Sequence, residues 1–194
     1  MMTIGLLLLA VALLLSGYNI WQSIQGDKYA DAALNELIPE INQNSEKEDV
    51  AQPDYVLFPD KEMPVKLIDG MYYVGVLQFP ELNVTLPIID KEWTLEKLNR
   101  GPCRYVGSVY KDNMVLAGHN DFPHFRPIYD LSAGSEIIFT DVDGNVFKYK
   151  VAWTEVLLPT EADKIIDSKD WDLSLMTCTF TSMERYIVRC IRVK

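Results

Sequence analysis

A chain of 194 residues carrying 28 acidic against 18 basic side chains has a formal net charge of −10 and no run of Lys or Arg. Nucleic acid is therefore excluded as a partner, because phosphate binding needs a basic patch. The composition, 48% hydrophobic and 24% charged with no repeat or low-complexity tract, is that of a globular protein with a real core. Setting aside an apolar N-terminus and its stalk leaves about 140 residues, the usual size of one domain.

Residues 4–15, IGLLLLAVALLL, continue through SGYNIW as about 18 residues without a charge, enough to cross a bilayer as a helix. Ser16-Gly17-Tyr18-Asn19 follows the apolar run where a cleaved leader would place small residues, and the one formal match, Ala30-Asp31-Ala32, lies beyond charged positions. The segment reads as a retained anchor over residues 1–21. Because no Lys or Arg precedes it and Lys28 follows, charge does not orient it.

Residues 22–64 read as stalk and linker. Tyr29, Ala33, Leu34 and Leu37 recur at helical spacing until Pro39 disturbs the pattern, and residues 45–64 are acidic and proline-punctuated. From Tyr72 the chain becomes a series of short segments rich in Val, Ile, Tyr and Phe: YYVGVLQF, NVTLPII, DNMVLAGH, SEIIFTD, NVFKYKVAWTEVLL, LSLMTC and RYIVRCIRV. Turns such as Asp143-Gly144-Asn145 separate them, which predicts a mainly β domain over 65–194, closed as a barrel or packed as a sandwich. Only residues 93–100 and 161–166 look helical within it.

The three cysteines are an odd number, so on an exported domain at least one thiol stays free or pairs with another molecule. Cys103 lies in a turn-like segment and Cys190 inside the apolar last strand, and both suit small buried hydrophobes. Cys178 differs, since it ends the strand LSLMTC. Six residues, Thr179 to Glu184, separate it from Arg185, short enough for an antiparallel hairpin that sets Cys178 and Arg185 opposite each other, with Cβ atoms roughly 5 Å apart. Arg189 shares the face but lies about 13 Å further along, too deep for the same spot. Arginine beside cysteine favours thiolate and steadies an oxyanion. Of two histidines, His119 ends the strand NMVLAGH and suits proton transfer, whereas His124 sits in the polar loop NDFPHFRP. Asp121 and the acidic segment TEADKIID add neither a triad member nor a calcium site at this spacing. The chemistry calls for no cofactor and no metal.

The stretches MVLAGHNDFPHFRPIYDLSAGSEIIFTDVDGNVFKYKV, LSLMTCTF and RYIVRCIRV together resemble the sortases, the membrane-anchored cysteine transpeptidases of Gram-positive bacteria. The likeness runs over about 120 residues, from YYVGVLQFPELNVTLPII onward. The family's Thr-Leu-x-Thr-Cys motif falls on Ser174 to Cys178, with Ser174 in place of the first threonine, its histidine on His119 and its arginine on Arg185. The resemblance implies an eight-stranded β-barrel in which Cys178 attacks an LPxTG-like C-terminal sorting signal, Arg185 steadies the oxyanion and His119 carries the proton. It implies as partners secreted proteins bearing such a signal and an amine acceptor from a peptidoglycan precursor or a pilin lysine. It also places the enzyme in the cell membrane as a single-pass protein with the catalytic domain on the extracellular face.

No Asp-Pro-aromatic lid motif precedes the domain and CIRVK ends the chain, which favours wall anchoring over pilin polymerisation. Thr154 to Asp172 is the expected reader of the signal, with its binding residues unassigned. Three rivals remain: an L,D-transpeptidase, whose Ser-x-Gly-Cys context is missing, a hydrolase, and a non-catalytic anchored β-domain binding wall or peptide ligands.

Overall fold

The computed structural model describes residues 2–45, 53–90, 94–121, 124–167 and 169–193. One helix, α1 (Met2–Ser45), opens the chain, and a single turn, α2 (Asp54–Leu57), leads to the strands. These are β1 (Lys66–Ile68), β2 (Met71–Phe79), β3 (Val84–Ile89), β4 (Cys103–Val106), β5 (Met114–Ala117), β6 (Glu136–Asp141), β7 (Val146–Leu157), β8 (Leu173–Cys178) and β9 (Arg185–Arg192). A short helix α3 (Leu95–Arg100) joins β3 to β4, and α4 (Ala162–Ile166) joins β7 to β8.

The sheet runs β1-β2-β3-β4-β5-β8-β9-β7-β6, and pairing of β2 with β6 closes β2 to β9 into an eight-stranded barrel. β1 is an addition that pairs with the first residues of β2. Two strands, β1 and β4, were not legible in the sequence: each is short, and Cys103, expected in a turn, starts β4 beside Ile89.

Burial follows what lies on each face. β7 alternates exposed Val146, Lys148 and Lys150 with buried Phe147, Tyr149 and Val151, because its outer face meets solvent there. β8 is buried from Leu173 to Thr177, because the barrel core lies on one side and the β7–β8 connection covers the other. Phe79, Leu77, Phe139, Tyr149 and Leu175 fill the interior, whereas Val115, Met176 and Ile187 pack outward against Leu157, Ile165 and Trp171.

The helix α1 differs from the expectation of an anchor followed by a separate short helix. It continues through Pro39, which is exposed and lies inside the helix. Its residues from Ile4 onward make a span long and apolar enough to cross a membrane, with none of the apolar window buried. The C-terminal half behaves as part of the barrel: Ala33, Leu37 and Ile41 pack with Ile68, Met71, Tyr73, Ile89 and Cys103. Its end is fastened to the β6–β7 turn, where Asn44 Nδ2 donates to the Val142 carbonyl at 3.0 Å and Ser45 Oγ to that of Gly144 at 3.3 Å. Gly144 has φ +94°, and a Cβ there would meet Ser45 Oγ at 2.4 Å, so the turn needs glycine twice over.

Residues 46–52 of the expected linker lie outside the described residues, and residues 53–64 are mostly exposed but touch the barrel at two points. Tyr55 stacks on Tyr110 at 4.7 Å, and Met63 is buried in the main core. Val56, Leu57 and Phe58 between them stay exposed.

Leu37 is fully buried between α1 and the barrel. Leu37→Ala is expected to lower the unfolding free energy by about 2–4 kcal/mol through lost burial and the cavity left behind. Urea unfolding of the full chain in micelles, followed by tryptophan fluorescence, measures this.

Candidate active site

Register brings the three expected residues together. In the parallel pair β5–β8 Ala117 lies beside Met176, and in the antiparallel pair β8–β9 Cys178 lies beside Arg185. The ladder continues past the end of β5, with the Gly118 N–H donating to the Met176 carbonyl at 3.1 Å. Two steps along both parallel strands therefore align His119 with Cys178, and the row reads His119, Cys178, Arg185 across β5, β8 and β9. Neighbouring strands are about 4.8 Å apart, so the three side chains share one neighbourhood.

Each member of the row is held by its backbone. Thr177 Oγ1 donates to the Gly118 carbonyl at 2.8 Å, tying β8 to the turn that carries His119, and the Tyr129 hydroxyl donates to the Cys178 carbonyl at 3.0 Å. The Phe125 N–H donates to the His119 carbonyl at 2.9 Å. A Cβ on Gly118 would come within 2.8 Å of Phe125 Cγ, so only glycine lets the turn fold back over that ring. Cys178 and Arg185 are half-buried, and all three cysteines are free thiols.

The row ends a groove of about 370 Å³, with Ala117, Met176 and Thr177 on its floor. Leu95 and Leu98 of α3 form one wall, and Pro159, Ala162 and Ile165 of the β7–β8 connection the other. The segment from Thr154 to Asp172 thus supplies part of the lining, while the α3 wall had no signal in the sequence beyond a short helical pattern. Trp93, expected within that helix, lies outside the described residues.

The two arginines of β9 have separate surroundings. Arg189 is 1% exposed, and it donates to Glu155 Oε1 at 2.8 Å, to the carbonyls of Ile165 at 3.0 Å and Lys164 at 2.7 Å, and to Ser174 Oγ at 3.0 Å. Its guanidinium also lies 4.7 Å from the Trp171 ring centre, so Arg189 fastens the groove wall to the sheet. Ser174 has its function here: it supplies the hydroxyl that accepts from Arg189. Among the described residues Arg185 donates only locally, to the Glu184 carbonyl at 3.2 Å, and it faces the groove.

The remaining polar candidates fall elsewhere. His124 is 4% exposed despite its polar loop, and burial first, then the charge of His119, pushes its pKa down from 6.5 to about 4. Burial raises the Asp121 carboxyl, partly countered by His119, and Asp121 Oδ1 stands 3.8 Å from His124 Nε2. Glu161 accepts from Lys164 Nζ at 2.6 Å and from the Leu158 N–H at 2.9 Å, which makes it a local cap. The Cys103 thiol is pushed up to about 12 by burial, and the fully buried Cys190 thiol is raised for the same reason.

A family model of the sortase domain matches residues 77–193, and the chain belongs to the sortase family. Sortase A of Listeria monocytogenes is 28% identical over 146 residues, covering 72% of this chain and 65% of that relative, so the chain spans less than two thirds of that relative's length. The crystal structure of Listeria monocytogenes sortase A aligns with TM-score 0.56 at 27% identity, over 63% of this chain and 88% of that one. Clostridium perfringens sortase C with the C-terminal cell wall sorting motif aligns with TM-score 0.55 at 25% identity, covering 83% and 89%. The Clostridium perfringens sortase D5 transpeptidase shares the fold, with TM-score 0.59 at 20% identity over 81% and 98%.

Removing Arg189 leaves Glu155 and two carbonyls without their donor, so Arg189→Ala is expected to cost about 3–5 kcal/mol in urea unfolding. Arg185→Ala should change stability by less than about 1 kcal/mol. Because His124 is held neutral in the fold, the unfolded chain binds more protons between pH 6.5 and 4. Its contribution is complete above 6.5 and is lost as pH falls towards 4. His124→Phe should remove most of that slope in unfolding midpoints taken from pH 7 to 4.

Proposed function

We propose that this protein is a membrane-anchored cysteine transpeptidase in which Cys178 is the nucleophile, His119 the proton carrier and Arg185 the oxyanion partner. The observation that carries the reading is the single row of these residues across β5, β8 and β9 at the end of an apolar groove. The groove suits an extended peptide with apolar side chains. An LPxTG-like C-terminal sorting signal has that character in its Leu and Pro, and the Clostridium perfringens sortase C structure holds a C-terminal cell wall sorting motif.

The Cys178 thiolate adds to the carbonyl carbon of the signal's threonine, and the oxygen takes up negative charge that Arg185 offsets. Collapse breaks the C–N bond as His119 gives its proton to the leaving amine, leaving a thioester on Cys178. An incoming amine then attacks the thioester, gives a proton to His119 and expels the thiolate. The enzyme returns to its starting state without cofactor or metal.

In this reading residues 1–21 hold the chain in the cell membrane as a single pass, residues 22–64 form the stalk and strap, and residues 65–194 are the catalytic barrel on the extracellular face. The amine belongs to a peptidoglycan precursor, making the reaction wall anchoring, with a pilin lysine as the alternative acceptor. None of the described residues 53–64 lines the groove, which favours anchoring over a lidded, pilin-polymerising enzyme.

Mass spectrometry of the full chain in micelles with LPxTG-like peptides tests this. An acyl adduct on Cys178 is expected, discharged by an added amine to the ligated product and absent in Cys178→Ala. Arg185→Ala should slow adduct formation roughly 10²- to 10³-fold, the effect of losing one oxyanion donor. Discharge by water alone would make the protein a hydrolase, and a folded chain that forms no adduct with any such peptide would overturn the reading.

A further inference from the structure

On α1 the end of the apolar span and the start of the barrel almost coincide. Tyr18 and Trp21, with ring centres 6.1 Å apart, close the span as an aromatic pair of the kind that sits at a membrane–water boundary. Further on, Gly26 is buried although Gly5 and Gly17 of the same helix are exposed, so another part of the chain already covers it. Gly26 opens a stripe that continues at helical spacing as Ala30, Ala33, Leu37 and Ile41, all buried. Because α1 runs unbroken from Met2 to Ser45, no flexible stalk separates the span from the barrel.

Helical rise converts this spacing into a height. Tyr29 lies eight residues beyond Trp21, about 12 Å along the axis. The headgroup layer beyond the hydrocarbon is about 5–7 Å deep, and any tilt of the helix brings Tyr29 lower. At this level the Arg100 guanidinium lies 4.7 Å from the centre of the Tyr29 ring, and its Nη1 stands 3.3 Å from Asp69 Oδ2 in the β1–β2 turn. Arg100 ends α3, whose Leu95 and Leu98 wall the groove and whose Asn99 Oδ1 meets His119 Nε2 at 3.1 Å. The β1–β2 turn, α3 and the reactive end of the groove therefore share the side of the barrel nearest the span. Charge does not draw this side to a bilayer: Arg100 is balanced by Asp69 and Glu96, and Lys28 by Asp27. The unbroken helix alone sets the distance.

We propose that α1 is a rigid ruler that seats the β1–β2 turn and α3 on the bilayer surface, whatever its headgroup charge. The groove is thereby held at one height, about 12 Å above the end of the span. The inference rests on the membrane-anchored reading, and it adds a specificity rule to the catalytic one. A peptide tethered to the same membrane is taken best when its spacer matches that height, because effective concentration peaks when a tether just spans the gap.

Neutron reflectometry of the full chain in supported bilayers tests the seating without any substrate. The barrel layer should begin at the headgroups, equally on phosphatidylcholine and on bilayers containing phosphatidylglycerol. Seven helix-forming residues inserted after Gln22 add two turns and keep the barrel on the same side, so they should open a solvent layer of about 10 Å beneath it. A solvent gap under the wild-type barrel, a gap that closes only on the anionic bilayer, or no change with the insert would overturn the ruler. Absence of protein from the hydrocarbon layer would overturn the anchor as well. The specificity rule is read with LPxTG-like peptides joined by polyproline spacers to a lipid in the same vesicles. Wild-type kcat/KM should peak at a spacer of about four prolines and fall roughly tenfold when the spacer is doubled. The helical insert should move the peak by about three prolines, and seven Gly/Ser residues at the same place should flatten it. Untethered peptide should react equally with all three proteins. An unmoved peak would overturn the rule, whereas a barrel seated at the headgroups in a chain that forms no adduct would overturn only the catalytic reading.

Discussion

The pairing of β8 between a parallel neighbour and an antiparallel one is the constraint on which the site depends. β5 and β9 reach β8 from opposite edges, and the register on each edge is fixed by which side chains are buried. A slip of one residue on either edge would move Met176 and Ile187, or Leu175 and Val188, to the wrong face. The same packing that stabilises the barrel therefore fixes the lateral order of His119, Cys178 and Arg185. Hydrogen bonds from the Gly118 N–H and the hydroxyls of Thr177 and Tyr129 carry that order past the strand ends, where the ladder alone would fray.

Burial divides chemically similar residues into structural and reactive ones. Cys103 and Cys190 are enclosed by apolar side chains that raise their thiols, whereas Cys178 opens on the groove beside a guanidinium. Arg189 spends its donors on Glu155 of β7, Ser174 of β8 and two carbonyls of the β7–β8 connection, while Arg185, four residues away on the same face, keeps donors for the groove. His124 is held neutral under the loop that turns back on itself, and His119 stands at the groove.

The long first helix joins the apolar span to the barrel without a hinge among its described residues. Its buried positions Ala30, Ala33, Leu37 and Ile41 recur at helical spacing against β1, β2 and β3, and Asn44 and Ser45 pin its end to the β6–β7 turn. The barrel is consequently oriented by the helix that bears the apolar segment. Through Arg100 and Leu98 that orientation reaches the α3 wall of the groove.

By itself the sequence determined the apolar span, the mainly β domain, seven of the strands and the hairpin that opposes Cys178 to Arg185. Each of these rests on periodicity or on a short loop, which are local properties of the chain. It also separated Arg189 from the site, because strand rise alone puts it too deep. The tertiary structure decided the rest. β1 has only three residues and β4 sits among the turn residues of NRGPCRYVG, and the strap at Tyr55 and the continuation of α1 through Pro39 depend on partners far along the chain. The same holds for Asn99, which is 20 residues from His119 and meets it from α3, itself packed on α1. Contacts between segments distant in sequence leave no periodic trace in either one, so only the closed barrel reveals them.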